Sequence, residues 1–314
     1  MEIKSVNKIN PLRANININF ASKKKCVYSI SNKKTLDKKT INETPFLTTI
    51  NNPRDEFISK NTTSDRQLKT KANSTCNPIH SDSLSLTDSK KILSAKDGYN
   101  KIACHYDTWK WQKFWEENEM PLIIKWSENK KNSYGADIGV GTGRNLKIFL
   151  FNNNKIDGFD ISDEMITICK QKYSDYIDKG MLYCYNLSVF DIINSNHKYD
   201  WIISNRVMSN IEDLENFIQT LQKIIKVGGE CFISDVHPDR NYDYTHLKID
   251  NNDIYVETYK HPIPQIKQLF EKYNFEIIKY EEFFKDNLKL TNTIKTDTKP
   301  IFYYFILKYK GKHR

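Results

Sequence analysis

Short apolar runs alternate with amphipathic segments from about residue 96 to the C-terminus. The apolar runs predict seven strands, and the segments between them predict four helices. The predicted strands are Tyr134–Ile138, Ile156–Ile161, Met181–Tyr185, Trp201–Ser204, Glu230–Ser234, Phe275–Tyr280 and Ile301–Leu307, and the predicted helices are 143–152, 162–176, 211–226 and 263–273. Alternation at this spacing favours an α/β fold in which helices cover both faces of a parallel sheet. No clear helix separates the last two runs, which predicts a terminal hairpin with one antiparallel strand.

Aromatic residues cluster just before the first predicted strand. The cluster comprises Tyr99, Tyr106, Trp109, Trp111, Phe114 and Trp115. Its spacing predicts one or two amphipathic helices that end near Pro121. We therefore expect residues 96–130 to form an N-terminal helical part of a folded domain that extends over residues 96–314.

Residues 1–95 show none of this periodicity. The stretch is rich in Lys, Asn, Ser and Thr and contains no Gly, and its apolar residues are too sparse to offset the chain entropy of folding. We predict a disordered basic tail over residues 1–95. Two alternatives stay open: the segment before Asp37 loosely resembles an organellar transit peptide, and the lysine runs 23–25 and 38–39 could contact nucleic acid or anionic lipid.

The net charge of +9 belongs to this tail. Residues 1–95 contain 17 Lys and Arg against 8 Asp and Glu, whereas residues 96–314 contain 31 of each class. Basic side chains favour nucleic acids because they displace counterions from phosphates. The electrically balanced folded part therefore offers no bulk-charge argument for a nucleic-acid partner.

The six cysteines form no CxxC pair, and no Cys/His spacing fits a zinc site, so no metal is predicted. Cys169, Cys184 and Cys231 lie in apolar stretches, which predicts buried free thiols. No run of 18 apolar residues predicts a membrane span, and the N-terminus lacks the apolar core of a signal peptide. A reducing, cytoplasmic location is the expectation, with organellar targeting by the tail as the lesser alternative.

The sharpest motif is a strand that runs into three alternate glycines, with Asp137 two residues before Gly139, Gly141 and Gly143. Alternate glycines allow a tight turn and a close approach of the backbone to a ligand, and a helix start supplies free N–H groups. Dinucleotide folds use GxGxxG and place a pyrophosphate on the helix N-terminus. An acid at position 137 would repel a pyrophosphate and suits a ligand with an ammonium group, which disfavours a nicotinamide oxidoreductase.

This segment resembles motif I of the class I S-adenosylmethionine-dependent methyltransferases, in particular the small-molecule group that includes ubiquinone- and menaquinone-biosynthesis enzymes. The resemblance spans about residues 97–285. It implies a Rossmann-like sheet of seven mostly parallel strands and S-adenosylmethionine as the cofactor. It also implies that Asp137 lies near the methionine part of the cofactor and that Gly139, Gly141 and Gly143 flank its sugar.

The resemblance extends to the ends of the next two strands. Asp160 falls where the family has the acid that binds the ribose hydroxyls, and a carboxylate can accept both. Ile161 then packs on the adenine. The family's next acid, which accepts from the adenine amino group, is replaced here by Asn186, with Leu187 beside it; an amide oxygen can accept the same bond. Asp191 is the less favoured substitute.

Two further positions follow from the resemblance. Ser204 and Asn205, at the end of the fourth strand, are expected to face the cofactor cleft. Tyr99–Asp107 resembles the family's "YxxxAxxYD" helix, which folds over the cofactor, so that Tyr106 is expected to be a lid residue. An aromatic side chain that simply packs at the sheet edge is the alternative for Tyr106.

Methyl transfer requires alignment of the reactants and exclusion of water, and a general base only when the acceptor loses a proton. His237 and His261 are the base candidates, with a purely structural histidine as the alternative for each. Segment 239–262 and the aromatic helices are expected to form the acceptor pocket, since aromatic walls suit an apolar or planar molecule. The expected activity is transfer of a methyl group to O, N or C of a small molecule.

Two other functions remain open at this point. One is an RNA or protein methyltransferase that docks through the basic tail, although residues 204–207 lack the prolines of the Asp/Asn-Pro-Pro-Tyr/Phe motif found in nucleic-acid amino-methyltransferases. The other is a non-catalytic S-adenosylmethionine-binding partner subunit. The oligomeric state is left open.

Overall fold

The computed structural model describes residues 90–193, 197–240, 242–249, 251–289 and 298–311. Most of the predicted tail, residues 1–89, lies outside the described residues. Its last residues are described: Ile92–Leu93 form strand β1, and a helix begins at Ala95. Ser94 fixes this helix start, since its side chain accepts a hydrogen bond from the Asp97 N–H.

The seven predicted strands form one sheet in the order β4-β3-β2-β5-β6-β10-β9. The strands are β2 (Tyr134–Ile138), β3 (Lys155–Asp160), β4 (Leu182–Asn186), β5 (Tyr199–Asn205), β6 (Ile225–Val236), β9 (Phe275–Phe283) and β10 (Phe302–Tyr309). Strands β2 to β6 pair in parallel, and β10 runs antiparallel to both β6 and β9. The predicted α/β class and the terminal hairpin are therefore confirmed.

Helices connect the parallel strands and precede the first of them. Their bounds are α1 (Ala95–Tyr106), α2 (Lys110–Asn118), α3 (Met120–Ser127), α4 (Leu146–Phe151), α5 (Asp163–Lys172), α6 (Ser174–Asp178), α7 (Val189–Ile192), α8 (Leu214–Ile224) and α9 (Ile263–Lys272). Side-chain caps set several starts: the Ser162 hydroxyl accepts from the Met165 N–H, and the Asp213 carboxylate accepts from the Asn216 N–H.

Alternate side chains of the strands pack into two apolar clusters, one on each face of the sheet. On β5, Ile202 packs with α8 and α9, whereas Trp201 and Ile203 pack with α3, α4 and α5. This period of two is what a sheet buried on both faces requires. Cys169, Cys184 and Cys231 are buried free thiols, as predicted. Among the described residues, no helix has the length and apolar character needed to cross a membrane.

A second, small sheet was not predicted. Strands β7 (Tyr244–Ile249) and β8 (Asn252–Glu257) form an antiparallel hairpin, and β1 adds to β8 in parallel. Residues 239–262 were predicted to be a pocket segment, and no strand was predicted within them. The hairpin forms because Leu247, Ile249, Ile254 and Val256 share one buried face, which packs on α1 and α5.

Candidate functional site

The glycine-rich loop joins β2 to α4 at the carboxyl ends of the parallel strands, where ligands bind in open α/β sheets. Gly139 and Gly143 have φ values of +75° and +88°, in the left-handed region that favours glycine. A Cβ at Gly139 would lie 2.2 Å from Val207 Cγ2, and one at Gly143 would lie 2.6 Å from the Tyr173 ring. Both positions therefore require glycine for conformation and for space.

Asp137 lies beneath this loop with its carboxylate 1% exposed. Neither carboxylate oxygen has a hydrogen-bond partner among the described residues. The nearby Asn145 amide, whose nitrogen donates to Asn205 Oδ1 at 2.8 Å, also lowers the Asp137 pKa. Burial raises the pKa of Asp137 to about 7, against the opposing charges of Arg144 and Arg206. A buried carboxylate with two unused acceptors is a strong indication of a missing donor.

Asp160 ends β3 and holds the glycine loop from its other side. Its Oδ2 accepts the Gly141 N–H at 2.8 Å, and its Oδ1 accepts the Ser162 N–H at 2.9 Å. Burial raises the pKa of Asp160 to about 6, although these hydrogen bonds lower it. Each oxygen has a second lone pair, so the carboxylate can accept further O–H groups.

The ends of β3 and β4 form a partly open ledge next to Asp160. Asn186 donates through its amide nitrogen to the carbonyls of Asp160 and Ile161, at 3.1 Å and 2.9 Å, which leaves its amide oxygen as an acceptor. The Leu187 N–H donates to the Asp160 carbonyl at 3.1 Å. Ile161 is 39% exposed. An exposed apolar side chain beside an amide acceptor suits a flat heteroaromatic ring.

Tyr106 and Ser204 lie at very different places in the site. The Tyr106 ring comes within 4.0 Å of the Cβ position of Gly141, so it covers the loop, and it lies between the rings of Tyr99 and Trp109. Ser204 is buried in β5, and its hydroxyl donates to the Ile138 carbonyl at 3.0 Å. This hydroxyl therefore joins β5 to β2, and its observed hydrogen bond is structural.

A buried ionic cluster, which was not predicted from the sequence, lies next to Asp137. Glu119, between α2 and α3, is 0% exposed and accepts from Arg144, from Arg206 Nη1 at 2.5 Å and from the Ser234 hydroxyl at 2.5 Å. Burial would raise the Glu119 pKa, but Arg206 and Arg144 hold it at about 2. The residues are too far apart in sequence for any local pattern to reveal their pairing.

A narrow pocket opens beyond the end of β6. Its lining is Ser209, Asp235, Val236, Pro238, Tyr242, Tyr259, His261 and Tyr303, and its volume of about 10 Å³ has room for about one water molecule. Asp235 accepts the N–H groups of Ser209 and Val236 at 2.8 Å and 2.7 Å. Burial raises the pKa of Asp235 to about 6. Tyr242, Tyr259 and His261 come from the expected pocket segment 239–262, whereas the lining includes no residue of the aromatic helices. A molecule larger than water requires the pocket to widen.

The two predicted histidines have different surroundings. His261 lines the pocket, and its Nε2 lies 2.6 Å from the Ile211 carbonyl. A carbonyl can only accept, so Nε2 carries a proton and Nδ1 is the available nitrogen. His237 is buried and is not part of the lining, although its ring packs against the lining residue Tyr303; its Nδ1 accepts from the Asp239 N–H, and its Nε2 faces Glu282. The structure thus brings His261 to the pocket and does not bring His237 there.

No group of three His, Cys, Asp or Glu side chains in the described part of the chain is arranged to hold a metal ion. The polar groups of the site are a buried carboxylate, loop N–H groups, a strand-end carboxylate and an amide, which can pair with the donors and acceptors of an organic ligand.

A family model described as "Methyltransferase domain" matches residues 113–280, which is more than half of the chain. The chain therefore belongs to this methyltransferase-domain family. The matched segment includes the glycine loop, Asp160, Asn186 and the ends of β5 and β6.

Two curated relatives match over shorter segments. The chain is 26% identical over 155 residues to malonyl-(acyl-carrier protein) O-methyltransferase 1 of Ilyobacter polytropus, covering 48% of this chain and 54% of the relative. It is 26% identical over 122 residues to arsenite methyltransferase of Homo sapiens, covering 35% and 32%. The chain thus spans about half, or less, of the length of the curated relatives it matches.

Solved structures share the fold at low sequence identity. The complex of DhpI with SAH has a TM-score of 0.51 and 13% identity, covering 69% of this chain and 95% of that one. A chain of the complex between the Haloferax volcanii Trm112 methyltransferase activator and its proposed methyltransferase has a TM-score of 0.55 and 13% identity, covering 70% and 100%. At this identity the likeness concerns the fold alone.

Proposed function

We propose that the protein is an S-adenosylmethionine-dependent methyltransferase that acts on a small-molecule acceptor, and that the domain beginning near residue 90 is the catalytic unit. The buried Asp137 carboxylate carries the proposal, because both of its oxygens lack a donor beside a loop that approaches a ligand through its backbone. An ammonium group supplies that donor, and a pyrophosphate does not. The family match and the names of the relatives support the same reaction.

The cofactor would be held by groups along the carboxyl edge of the sheet. Asp137 would bind the amino group and Asp160 the ribose hydroxyls. Ile161, Leu187 and the Asn186 amide oxygen would bind the adenine, and the Tyr106 ring would cover the glycine loop. The bound cofactor supplies a methyl group on a sulfonium, which is already activated for displacement. The protein's own contribution is then to orient the acceptor and to exclude water.

His261 would act as the general base when the acceptor donates an O–H or N–H. Its Nε2–H is fixed by the Ile211 carbonyl, so the Nδ1 lone pair is the one that can take a proton within the pocket. Asp235 lies in the same lining but already accepts two backbone N–H groups. This assignment leaves His237 with a structural role, because both of its ring nitrogens have partners.

Calorimetric titration of S-adenosylhomocysteine into the full chain tests the cofactor assignment. We expect binding by the wild type, and a loss of roughly 30-fold or more in Asp137→Asn and Asp160→Ala, because each removes a charged acceptor from a buried contact. Asp175→Asn, an exposed carboxylate on α6, is the matched control and should bind like the wild type. Equal affinity in Asp137→Asn and the wild type would contradict the assignment.

The His261 assignment has a test that needs no acceptor. Nitrogen-15 NMR at pH 8.5 should show His261 with its proton on Nε2, while exposed His105 provides the reference signal.

In a methyl-transfer screen of hydroxylated and amino acceptors, His261→Gln should fold normally but lose activity, since Gln keeps the donor to Ile211 and lacks the base nitrogen. A proton on Nδ1, or full activity in His261→Gln, rejects this role.

A further inference from the structure

Arginine is rare in this chain and is used selectively. Only 7 of the 48 basic residues are arginine, and within the described residues the arginines are Arg144, Arg206 and Arg240. Two of these three meet in the buried cluster around Glu119. Most of the other positive charges are lysines, so arginine at both buried positions indicates a need for its planar, multi-donor guanidinium.

The cluster has more donors than acceptors. One carboxylate, Glu119, serves two guanidinium groups, so one positive charge is left without a counterion in direct contact. Arg144 Nε and Nη1 and Arg206 Nε are buried without a hydrogen-bond partner. Buried N–H groups of a cation are costly to leave unpaired. The cluster therefore favours binding of a further anionic group that can accept hydrogen bonds from these N–H groups.

Arg206 occupies a strained position that points to function. It follows β5 directly with φ +58°, and its backbone N–H donates to the Ser234 carbonyl at 2.7 Å. A left-handed arginine persists only where the surroundings impose it, and such outliers concentrate at functional sites. Its guanidinium lies 5.0 Å from the centre of the Trp115 ring, which fixes the plane of the charged group.

Arg206 directly follows β5 and Arg144 follows the glycine-rich loop, so the two guanidinium groups reach Glu119 from different parts of the sheet edge. The charge of Arg144 lowers the Asp137 pKa more than the charge of Arg206 does. Arg206 also acts on the pocket: burial raises the Asp235 pKa, and the Arg206 charge is among the groups that lower it. Ser209, which lines the pocket, is three residues beyond Arg206 and donates its N–H to Asp235.

We propose that Arg206 binds a carboxylate of the methyl acceptor and thereby determines which acceptors the site takes. A carboxylate matches the guanidinium because two coplanar oxygens can accept from two parallel N–H groups. Glu119 holds both guanidinium groups in place, and Trp115 sets the plane of Arg206, so both are positioning residues. This inference rests on the methyltransferase function proposed above and specifies its substrate class.

The test uses the full chain saturated with S-adenosylhomocysteine, so that the carboxylate of the cofactor product is already bound. Benzoate, 4-hydroxybenzoate and malonate are titrated by calorimetry, with benzamide as the neutral match to benzoate. We expect the wild type to bind at least one carboxylate and to prefer benzoate over benzamide. Arg206→Met should weaken carboxylate binding roughly 30-fold or more, since truncating one partner of a buried charge pair costs that much.

Two variants serve as controls. Lys130→Met removes a cation that also lies over a tryptophan, Trp126, but pairs with Glu230 outside the Glu119 cluster, and it should bind the carboxylates like the wild type. Arg206→Lys keeps the charge without the planar fork and should retain only part of the affinity. Should Arg206→Met fail to fold, the lysine variant carries the comparison.

The outcomes separate the two proposals. Loss of carboxylate binding in Arg206→Met, with S-adenosylhomocysteine affinity within about twofold of the wild type, supports the inference. If Arg206→Met instead weakens S-adenosylhomocysteine and spares 5′-methylthioadenosine, which lacks the amino-acid group, Arg206 serves the cofactor carboxylate and the inference is overturned. It is also overturned if the loaded wild type binds none of the carboxylates. No S-adenosylhomocysteine binding by the wild type overturns the proposed function itself.

Discussion

Replacement of Asp137 by asparagine is expected to stabilise the ligand-free protein at neutral pH while it weakens cofactor binding by roughly 30-fold or more. Asparagine has nearly the same shape but carries no charge, and the wild-type carboxylate is buried without a hydrogen-bond partner. Burial raises the Asp137 pKa from 3.8 to about 7. The native state therefore binds the Asp137 proton more tightly than the unfolded state does.

The sign and size of the effect follow from proton linkage. Between pH 3.8 and 7 the native state holds more protons than the unfolded state, so the free energy of unfolding of the wild type falls as pH rises through this window and levels off above it. A tenfold change in proton affinity corresponds to about 1.4 kcal/mol, which makes the full effect about 4 kcal/mol. The free energy of unfolding of Asp137→Asn does not fall in this way. The variant should therefore be as stable as the wild type near pH 4 and more stable by about 4 kcal/mol at pH 8.

Urea unfolding followed by tryptophan fluorescence at pH 4, 6 and 8 measures this difference. The exposed Asp175→Asn variant corrects for general charge effects and should follow the wild type at all three values. A difference between Asp137→Asn and the wild type that does not change with pH would refute the reasoning, as would an Asn variant that is the less stable protein at pH 8. Either result would mean that the buried carboxylate has a partner in the ligand-free protein.

Three further predictions concern the same region. Gly143→Ala should lower the free energy of unfolding in urea by about 1–3 kcal/mol more than Gly228→Ala does. Both glycines have positive φ, but only a Cβ at 143 meets another residue, Tyr173. Equal losses in the two variants would contradict this prediction. Glu119→Gln should lower the free energy of unfolding by about 3–5 kcal/mol, since it leaves two buried guanidinium groups without a counterion, and a loss under about 1 kcal/mol would count against the cluster. The pKa of Asp160, about 6, predicts that S-adenosylhomocysteine affinity falls from pH 7 to pH 5, and calorimetry should show a smaller fall in Asp160→Asn.

The strands of the main sheet could be predicted because each is an apolar run that is buried on both faces. Tyr134–Ile138 was predicted with the observed bounds, and β6 was found although its start lies five residues earlier, at Ile225. The β7–β8 hairpin was missed because Leu247 and Ile249 alternate with polar residues over a very short span, which resembles an irregular loop. Its formation depends on the long-range contact with α1.

Some residues of the candidate site could likewise be predicted from the sequence, and others could not. Asp137 and Asp160 were predicted because a motif with local spacing contains them. Glu119 and Arg206 were not, since burial of a charged side chain is decided by tertiary contacts between segments 87 residues apart. The choice between His237 and His261 also needed the structure, because it depends on which backbone groups engage each ring nitrogen.

A crystal structure of the full chain with S-adenosylhomocysteine tests the central claim most directly. The account predicts that the amino group of the ligand lies within hydrogen-bond distance of Asp137 and that its ribose hydroxyls lie within hydrogen-bond distance of Asp160. Density for the ligand at another place would contradict this prediction. A bound ligand whose amino group makes no contact with Asp137 would contradict it as well.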